Sequence, residues 1–133
     1  ALREGAVGYV TDVCVPISNL AEAIRRVKRD LESCPLPAPL FGHVGDGNFH
    51  VVFPIMPGDA DELATAKRYG RMLIEHSLAL GGTCTGEHGI GIGKIDALRQ
   101  EHGEAVDVMI QLKLALDPNN VMNPGKLFGD LAD

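Results

Sequence analysis

Phe41-Gly42-His43-Val44-Gly45-Asp46-Gly47-Asn48-Phe49-His50 sets two histidines symmetrically about an Asp-Gly pair. Asp-Gly between apolar runs favours a two-residue hairpin turn, because both turn positions need positive φ. With Asp46 as turn former beside Gly47, Gly45 pairs with Asn48, Val44 with Phe49 and His43 with His50. Directly opposed residues of an antiparallel pair carry Cβ atoms roughly 5 Å apart on one face. Two imidazoles held that way can share a divalent cation; without one they repel each other when protonated. Two histidines seldom complete a site, so a third ligand is expected elsewhere. Imidazole with carboxylate suits zinc, manganese, iron or cobalt.

Outward from this hairpin, the expected strands cover residues 40–45 and 48–55. Upstream, residues 8–16 (GYVTDVCVP) alternate apolar and polar with β-branched enrichment and predict a strand. Asn19, with Glu22 three residues on, predicts the start of a capped helix whose buried stripe is Leu20, Ile24, Val27 and Leu31. The run Arg25-Arg26-Val27-Lys28-Arg29 is its solvated face rather than a binding patch. Residues 35–39 (PLPAP) form a stiff linker that no helix interior tolerates. Pro57-Gly58-Asp59 opens a long helix to about Leu80, ended by Gly81-Gly82, with a core face of Leu63, Ala66, Tyr69, Leu73, His76 and Leu80. His76 there reads as a hydrogen-bonded core residue. A short helix from Lys94 stops at Gly103 after His102, whose charge complements the helix dipole. Another runs over residues 104–116 to the stop Asp117-Pro118-Asn119-Asn120. Strand, helix, hairpin and helix together predict an α+β fold, with helices on one face of an antiparallel sheet.

Between the long helix and the next lies the glycine-rich loop 83–93 (TCTGEHGIGIG). Glu87 and His88 are its only acid and base. Neighbouring side chains in extended backbone point to opposite sides, so one can bind a metal while the other addresses a substrate atom. The glycines allow a close backbone approach. Gly93-Lys94 is followed by Ile95, not Ser or Thr, so there is no P-loop; the Gly89, Gly91, Gly93 spacing is no dinucleotide fingerprint.

With 133 residues, 45% of them apolar, the chain is expected to fold as one domain. A net charge of −6 and a pI near 5.3 argue against nucleic acid or an anionic membrane surface as partner. No stretch approaches the roughly 20 apolar residues of a membrane span. Cys14, Cys34 and Cys84, an odd number without CxxC spacing, read as reduced thiols, with Cys84 a small buried residue rather than a nucleophile. A cytoplasmic setting is expected, with a membrane reached only through an electron acceptor. The missing initial Met suggests a piece of something longer.

Four separated elements, TDVCVPISNLAEAI (11–24), FGHVGDGNFH (41–50), GGTCTGEHGIGIGK (81–94) and LALDPNNVMNPGKLF (114–128), resemble the C-terminal domain of FAD-linked D-2-hydroxy-acid dehydrogenases. That group includes the flavin-bearing chain of glycolate oxidase, D-2-hydroxyglutarate dehydrogenase and cytochrome-linked D-lactate dehydrogenases. The resemblance implies a ferredoxin-like α+β cap of the vanillyl-alcohol-oxidase type over residues 1–133. The partner domain, which binds most of the FAD, would lie N-terminal and outside this chain. It also implies a divalent metal (Zn, Mn or Fe) on His43, His50 and Glu87, His88 as general base, and Asn48, Asn123 and Lys126 on the flavin side. The substrate would be a small D-2-hydroxy acid, and this chain by itself is not expected to turn over. Arg3 does not match the family arginine that meets the substrate carboxylate. Val52 stands where the hydroxyglutarate branch carries Asn, and Val10 and Thr11 stand where that branch carries Lys, which suits a small apolar tail such as the methyl of lactate. The electron acceptor is unspecified, and a homo-oligomer stays open. Two other readings use the same residues: a stand-alone, hydrolytic metal-binding module, and a non-catalytic domain whose hairpin histidines support an oligomer interface.

Overall fold

The fold comes from a computed structural model that describes residues 3–131. The elements in chain order are β1 (Val7–Val10), β2 (Val13–Cys14), α1 (Ile17–Leu31), β3 (Leu40–His43), β4 (Asn48–Ile55), α2 (Ala60–Ala79), α3 (Ile95–His102) and α4 (Ala105–Leu116). They fall into two compact parts, residues 1–87 and 88–133.

In the first part β4 is the central strand of an open antiparallel sheet, as the α+β expectation required. The β1 ladder pairs Val10 with Val52, and the β2 ladder pairs Val13 with Phe49, so both follow one edge of β4 in one continuous register. β3 pairs along the other edge. Alternation sends Phe49, Val51, Phe53 and Ile55 to one face, where they form a core with Val13, Val15, Leu20, Ala23 and Val27, closed by Ala66, Tyr69 and Leu73 of α2. Each fully buried side chain of this kind contributes about 1.5–3 kcal/mol. The opposite face carries Asn48, His50 and Val52 of β4 beside Phe41 and His43 of β3. α1 and α2 cover one face of this sheet, and the histidines occupy the other.

The structure corrects the hairpin register. β3 ends at His43, which pairs with Asn48, while Phe41 pairs with His50. The Asp46 N–H donates to the His43 carbonyl at 2.9 Å, and the connection is the four-residue stretch 44–47 rather than Asp46-Gly47 alone. The cause lies on the neighbouring strand. The Val15 N–H donates to the Gly47 carbonyl at 3.0 Å, and Gly47 keeps φ at +75° with no room for a Cβ, which would sit 2.0 Å from the Val15 carbonyl oxygen. Gly47 is thus spent on docking against Val15 and is not available to a tight primed turn.

The strand expected over residues 8–16 is also interrupted, at Thr11 and Asp12. In an unbroken ladder Thr11 and Val51 would exchange two backbone hydrogen bonds. Here the Thr11 N–H does donate to the Val51 carbonyl at 3.0 Å, but the Val51 N–H donates to the Thr11 hydroxyl, at 2.8 Å. The Thr11 carbonyl is thereby released from the ladder.

α1 starts two residues before the expected cap. It has no side-chain cap at Pro16. Asn19 donates instead to the Leu80 carbonyl at the end of α2, 2.8 Å away, and Glu22 pairs with Arg25 and Arg26 along the outer face. α2 begins as expected: the Asp59 carboxylate accepts from the Asp61 and Glu62 N–H groups. His76 is half-buried rather than in the core, its Nε2 2.6 Å from Asp30 Oδ2 on α1.

In the second part α3 stops at Gly103, as its sequence predicts, and Arg99 bridges the turn to Asp107 at 2.7 Å. α4 ends at Asp117, whose carboxylate accepts from Lys113 and from the Val121 and Met122 N–H groups. This holds the following tail against the helix end.

Candidate metal centre

The register slip of two does not part the two histidines. A two-residue shift preserves the face on which each side chain stands, so His43 and His50 become diagonal neighbours rather than opposed ones. Their rings meet edge to face with centroids 5.9 Å apart. His50 is almost fully buried, with its side chain 3% exposed, while His43 projects into solvent at 61%.

Glu87 arrives from residues 83–87, a segment that follows α2 and returns to the sheet through an isolated bridge between Thr83 and Cys14. Glu87 Oε1 lies 3.0 Å from His50 Nε2 and 3.5 Å from His43 Nε2. One nitrogen or oxygen from each of the three residues falls within 4.8 Å of the others, close enough for a single ion to touch all three.

The tautomer of His50 can be argued from its partner. Nδ1 stands 3.0 Å from the Thr11 carbonyl, which can only accept, so Nδ1 carries the hydrogen. In the neutral ring Nε2 then presents a lone pair to the Glu87 carboxylate. Two acceptors facing each other at 3.0 Å need a positive charge between or upon them. A divalent cation meets that need with the donor chemistry that zinc, manganese or iron accept from imidazole and carboxylate, so these residues fit the metal.

Asp12 is the residue that sequence reasoning missed. It is 1% exposed and faces the same cluster, its Oδ1 3.8 Å from His50 Nδ1. Its carboxylate accepts from the Thr85 hydroxyl at 2.7 Å, the Gly86 N–H at 2.8 Å, the Glu87 N–H at 3.1 Å and the Asn48 amide at 2.8 Å. The signal was present: an acid inside a β-branched run is unusual for a strand, and a buried one must be fully hydrogen-bonded.

Asn48, expected on the flavin side, is buried. Its amide nitrogen donates to Asp12 Oδ1 and, at 2.9 Å, to the Val13 carbonyl, while its Oδ1 has no hydrogen-bond partner among the described residues. Gly86 explains the closeness of the loop: a Cβ there would stand 1.9 Å from Asn48 Nδ2. The close approach that the glycines allow is thus, at Gly86, made toward the protein's own side chains.

The remaining expected residues lie in the second part. His88 is its first residue and is exposed. Asn123 and Lys126 are exposed in the tail, where the Lys126 N–H donates to the Asn123 carbonyl at 3.2 Å and Asn123 holds φ at +51°.

Among the described residues, no thiol joins the groups that come within reach of a single ion. Cys84 is fully buried. Burial, followed by the nearby charges of Asp12 and Asp46, pushes the Cys14 thiol above its ordinary range and keeps it protonated. No helix among the described residues is long and apolar enough to cross a membrane.

Residues 1–127 match the family described as FAD linked oxidases, C-terminal domain. A probable mitochondrial D-lactate dehydrogenase of Danio rerio is 52% identical over 128 residues, which cover 96% of this chain and 26% of that protein. A mitochondrial D-lactate dehydrogenase (cytochrome) of Arabidopsis thaliana is 44% identical, covering 96% of this chain and 23% of the relative. The glycolate oxidase component GlcD of Bacillus subtilis is 36% identical over 118 residues, covering 88% of this chain and 25% of its own length. The chain thus spans about a quarter of the length of these relatives.

Proposed function

The chain belongs to the FAD linked oxidases through their C-terminal domain, and from that membership we propose that it is the substrate- and metal-holding part of an FAD-dependent oxidoreductase. The enzyme oxidises a D-2-hydroxy acid to the 2-oxo acid, with D-lactate as the first candidate substrate and glycolate as the second. The observation that carries this reading is the convergence of His43, His50 and Glu87 on one point of the open sheet face.

When bound, the cation would supply Lewis acidity toward the substrate's 2-hydroxyl and carboxylate, and the flavin would supply the hydride acceptor. What the chain's own residues do is hold, orient and take a proton. His50 is fixed by burial and by the Thr11 carbonyl, and so presents Nε2 in a constant direction. His43 and Glu87 approach the same point from the solvent side. His88 accepts the hydroxyl proton as general base, a task for which an imidazole nitrogen is suited. Asn123 and Lys126 meet the flavin, and Asn48 contributes from beneath through the loop it supports. Val52, Val10 and Phe41 give the open face next to His50 an apolar character that accepts a methyl group more readily than a second carboxylate. The partner is the flavin domain of the same protein. The setting is aqueous, with any membrane reached through the electron acceptor.

The test is anaerobic flavin reduction by D-lactate, glycolate and D-2-hydroxyglutarate in the full-length protein. His43→Ala is expected to lose both metal and reduction. His88→Ala is expected to keep the metal and lose reduction by D-lactate. Retained reduction in the His88 variant would remove it as the base, and equal rates with D-2-hydroxyglutarate would overturn the preference for a small tail.

A further inference from the structure

We infer that Asp12 is the positioning residue of the metal centre, the buried carboxylate that holds Glu87 in place; the inference rests on the metal reading above. Glu87 is itself half exposed, with 49% of its side chain open to solvent, so its burial does not fix it. What fixes its backbone is Asp12. Both oxygens of that carboxylate lie within reach of the Glu87 N–H, at 3.1 and 3.2 Å, and Oδ2 also takes the two preceding donors, the Gly86 N–H and the Thr85 hydroxyl. Three consecutive residues of the loop are thus tied to one side chain of the sheet. Such outer partners set the direction of metal-binding groups as strongly as the groups themselves.

The geometry has a single origin in the strand break. Thr11 puts its hydroxyl into the ladder and so frees its carbonyl for His50 Nδ1. The next residue, Asp12, falls opposite His50 on β4 and turns its carboxylate to the loop. Two adjacent residues therefore orient two ligands, one each, from beneath. Loop residues 85–87 and Asn48 reach Asp12 with N–H and O–H donors, for which both carboxylate oxygens act as acceptors. An amide at this position offers one acceptor oxygen and turns an NH2 group against one set of those donors.

The experiment is titration of the purified full chain with Co2+ alone, read by the ligand-field absorption of the bound ion, on the parent and on Asp12→Asn, with Glu87→Ala as reference. Asp12→Asn is expected to weaken Co2+ binding about tenfold to hundredfold. Its spectrum should move toward that of Glu87→Ala, at a temperature where circular dichroism shows it fully folded. A merely structural role would lower the melting temperature and leave both affinity and spectrum of the folded protein unchanged, and that result overturns the inference. If Asp12→Asn does not fold, Thr85→Val decides by the same titration: it removes one donor to the same carboxylate, and an unaltered affinity and spectrum overturn the inference. If the parent binds no Co2+, or binds it equally without Glu87, the metal reading itself falls and the role of Asp12 with it. Parent-like binding by folded Asp12→Asn beside lost binding in Glu87→Ala sinks only the role of Asp12.

Discussion

Replacing Gly86 by alanine isolates the fit between the loop and the sheet. The added Cβ would lie 1.9 Å from Asn48 Nδ2 and 2.9 Å from Asp12 Oδ1. A non-bonded carbon needs about 3.5 Å, so one side must retreat by about 1.5 Å. Asn48 cannot do so cheaply, because it is buried and its amide is held by Asp12 and by the Val13 carbonyl. The loop is half exposed and moves instead. A displacement of that size breaks the 2.7 Å bond from Thr85, the 2.8 Å bond from Gly86 and the 3.1 Å bond from Glu87 to Asp12. Hydrogen bonds to a charged acceptor contribute about 1.5–3 kcal/mol each. Water replaces part of each in a loop that lifts toward solvent, so the expected net loss is about 3 kcal/mol. For a domain of this size that lowers the melting temperature by about 10 °C. The same movement carries Glu87 away from His50 and weakens Co2+ binding at least tenfold. Gly93→Ala is the control, because a Cβ there meets nothing within 4 Å; it should change stability by less than about 0.5 kcal/mol. Thermal melts and Co2+ titrations of the two variants decide. A Gly86→Ala protein that melts within about 2 °C of the parent and binds the ion equally would refute the claim that the loop is pressed onto Asn48 and Asp12.

Two further outcomes follow from the same geometry. Mn2+ or Co2+ at about one hundred times its dissociation constant should stabilise the folded chain by about 2.7 kcal/mol, visible as a raised melting temperature, and Glu87→Ala should erase the gain; a melting temperature that neither ion moves argues against a cation here. Asp117 is held below its ordinary value of 3.8, first by its hydrogen bond to Lys113 and then by the Met122 N–H. A depressed carboxyl stabilises the folded form above that ordinary value and loses the contribution as pH falls through the lowered one. Protection of the Val121 and Met122 amides, taken relative to the intrinsic exchange rate at each pH, should therefore fall below about pH 4. In Asp117→Asn the protection should be low already at pH 6 and independent of pH in acid, and a parent tail equally protected at pH 2.5 and pH 6 would contradict it.

The elements themselves were legible where periodicity and breakers agree. α2 was bounded by Asp59 and Gly81, and α3 by Gly103, because a carboxylate that accepts two N–H groups and a glycine at positive φ act within a few residues of the end they mark. The start of α1 was misread for the opposite reason. Asn19 has the chemistry of a cap, but it donates to Leu80, sixty-one residues away, and only the packing of α1 against α2 shows that acceptor. The turn failed in the same way. Asp46-Gly47 has the local signature of a tight hairpin, yet Gly47 is claimed by Val15 of the neighbouring strand segment.

That the misread turn still left the two histidines on one face of the sheet has a physical cause. Side chains alternate across a strand with period two, so an error of two residues in register moves a partner along the sheet without changing its face. His43 lost its place opposite His50 and stayed on the same side of the sheet, with its ring still in contact. An error of one residue would have put His43 among the core side chains and removed the site. Asp12 enjoyed no such protection. Its importance depends on a loop arriving from residues 85–87, and no local spacing encodes that meeting. The three residues that converge, His43, His50 and Glu87, were thus readable from one hairpin and one loop taken singly. The carboxylate that joins hairpin to loop became visible only once the chain had folded them together.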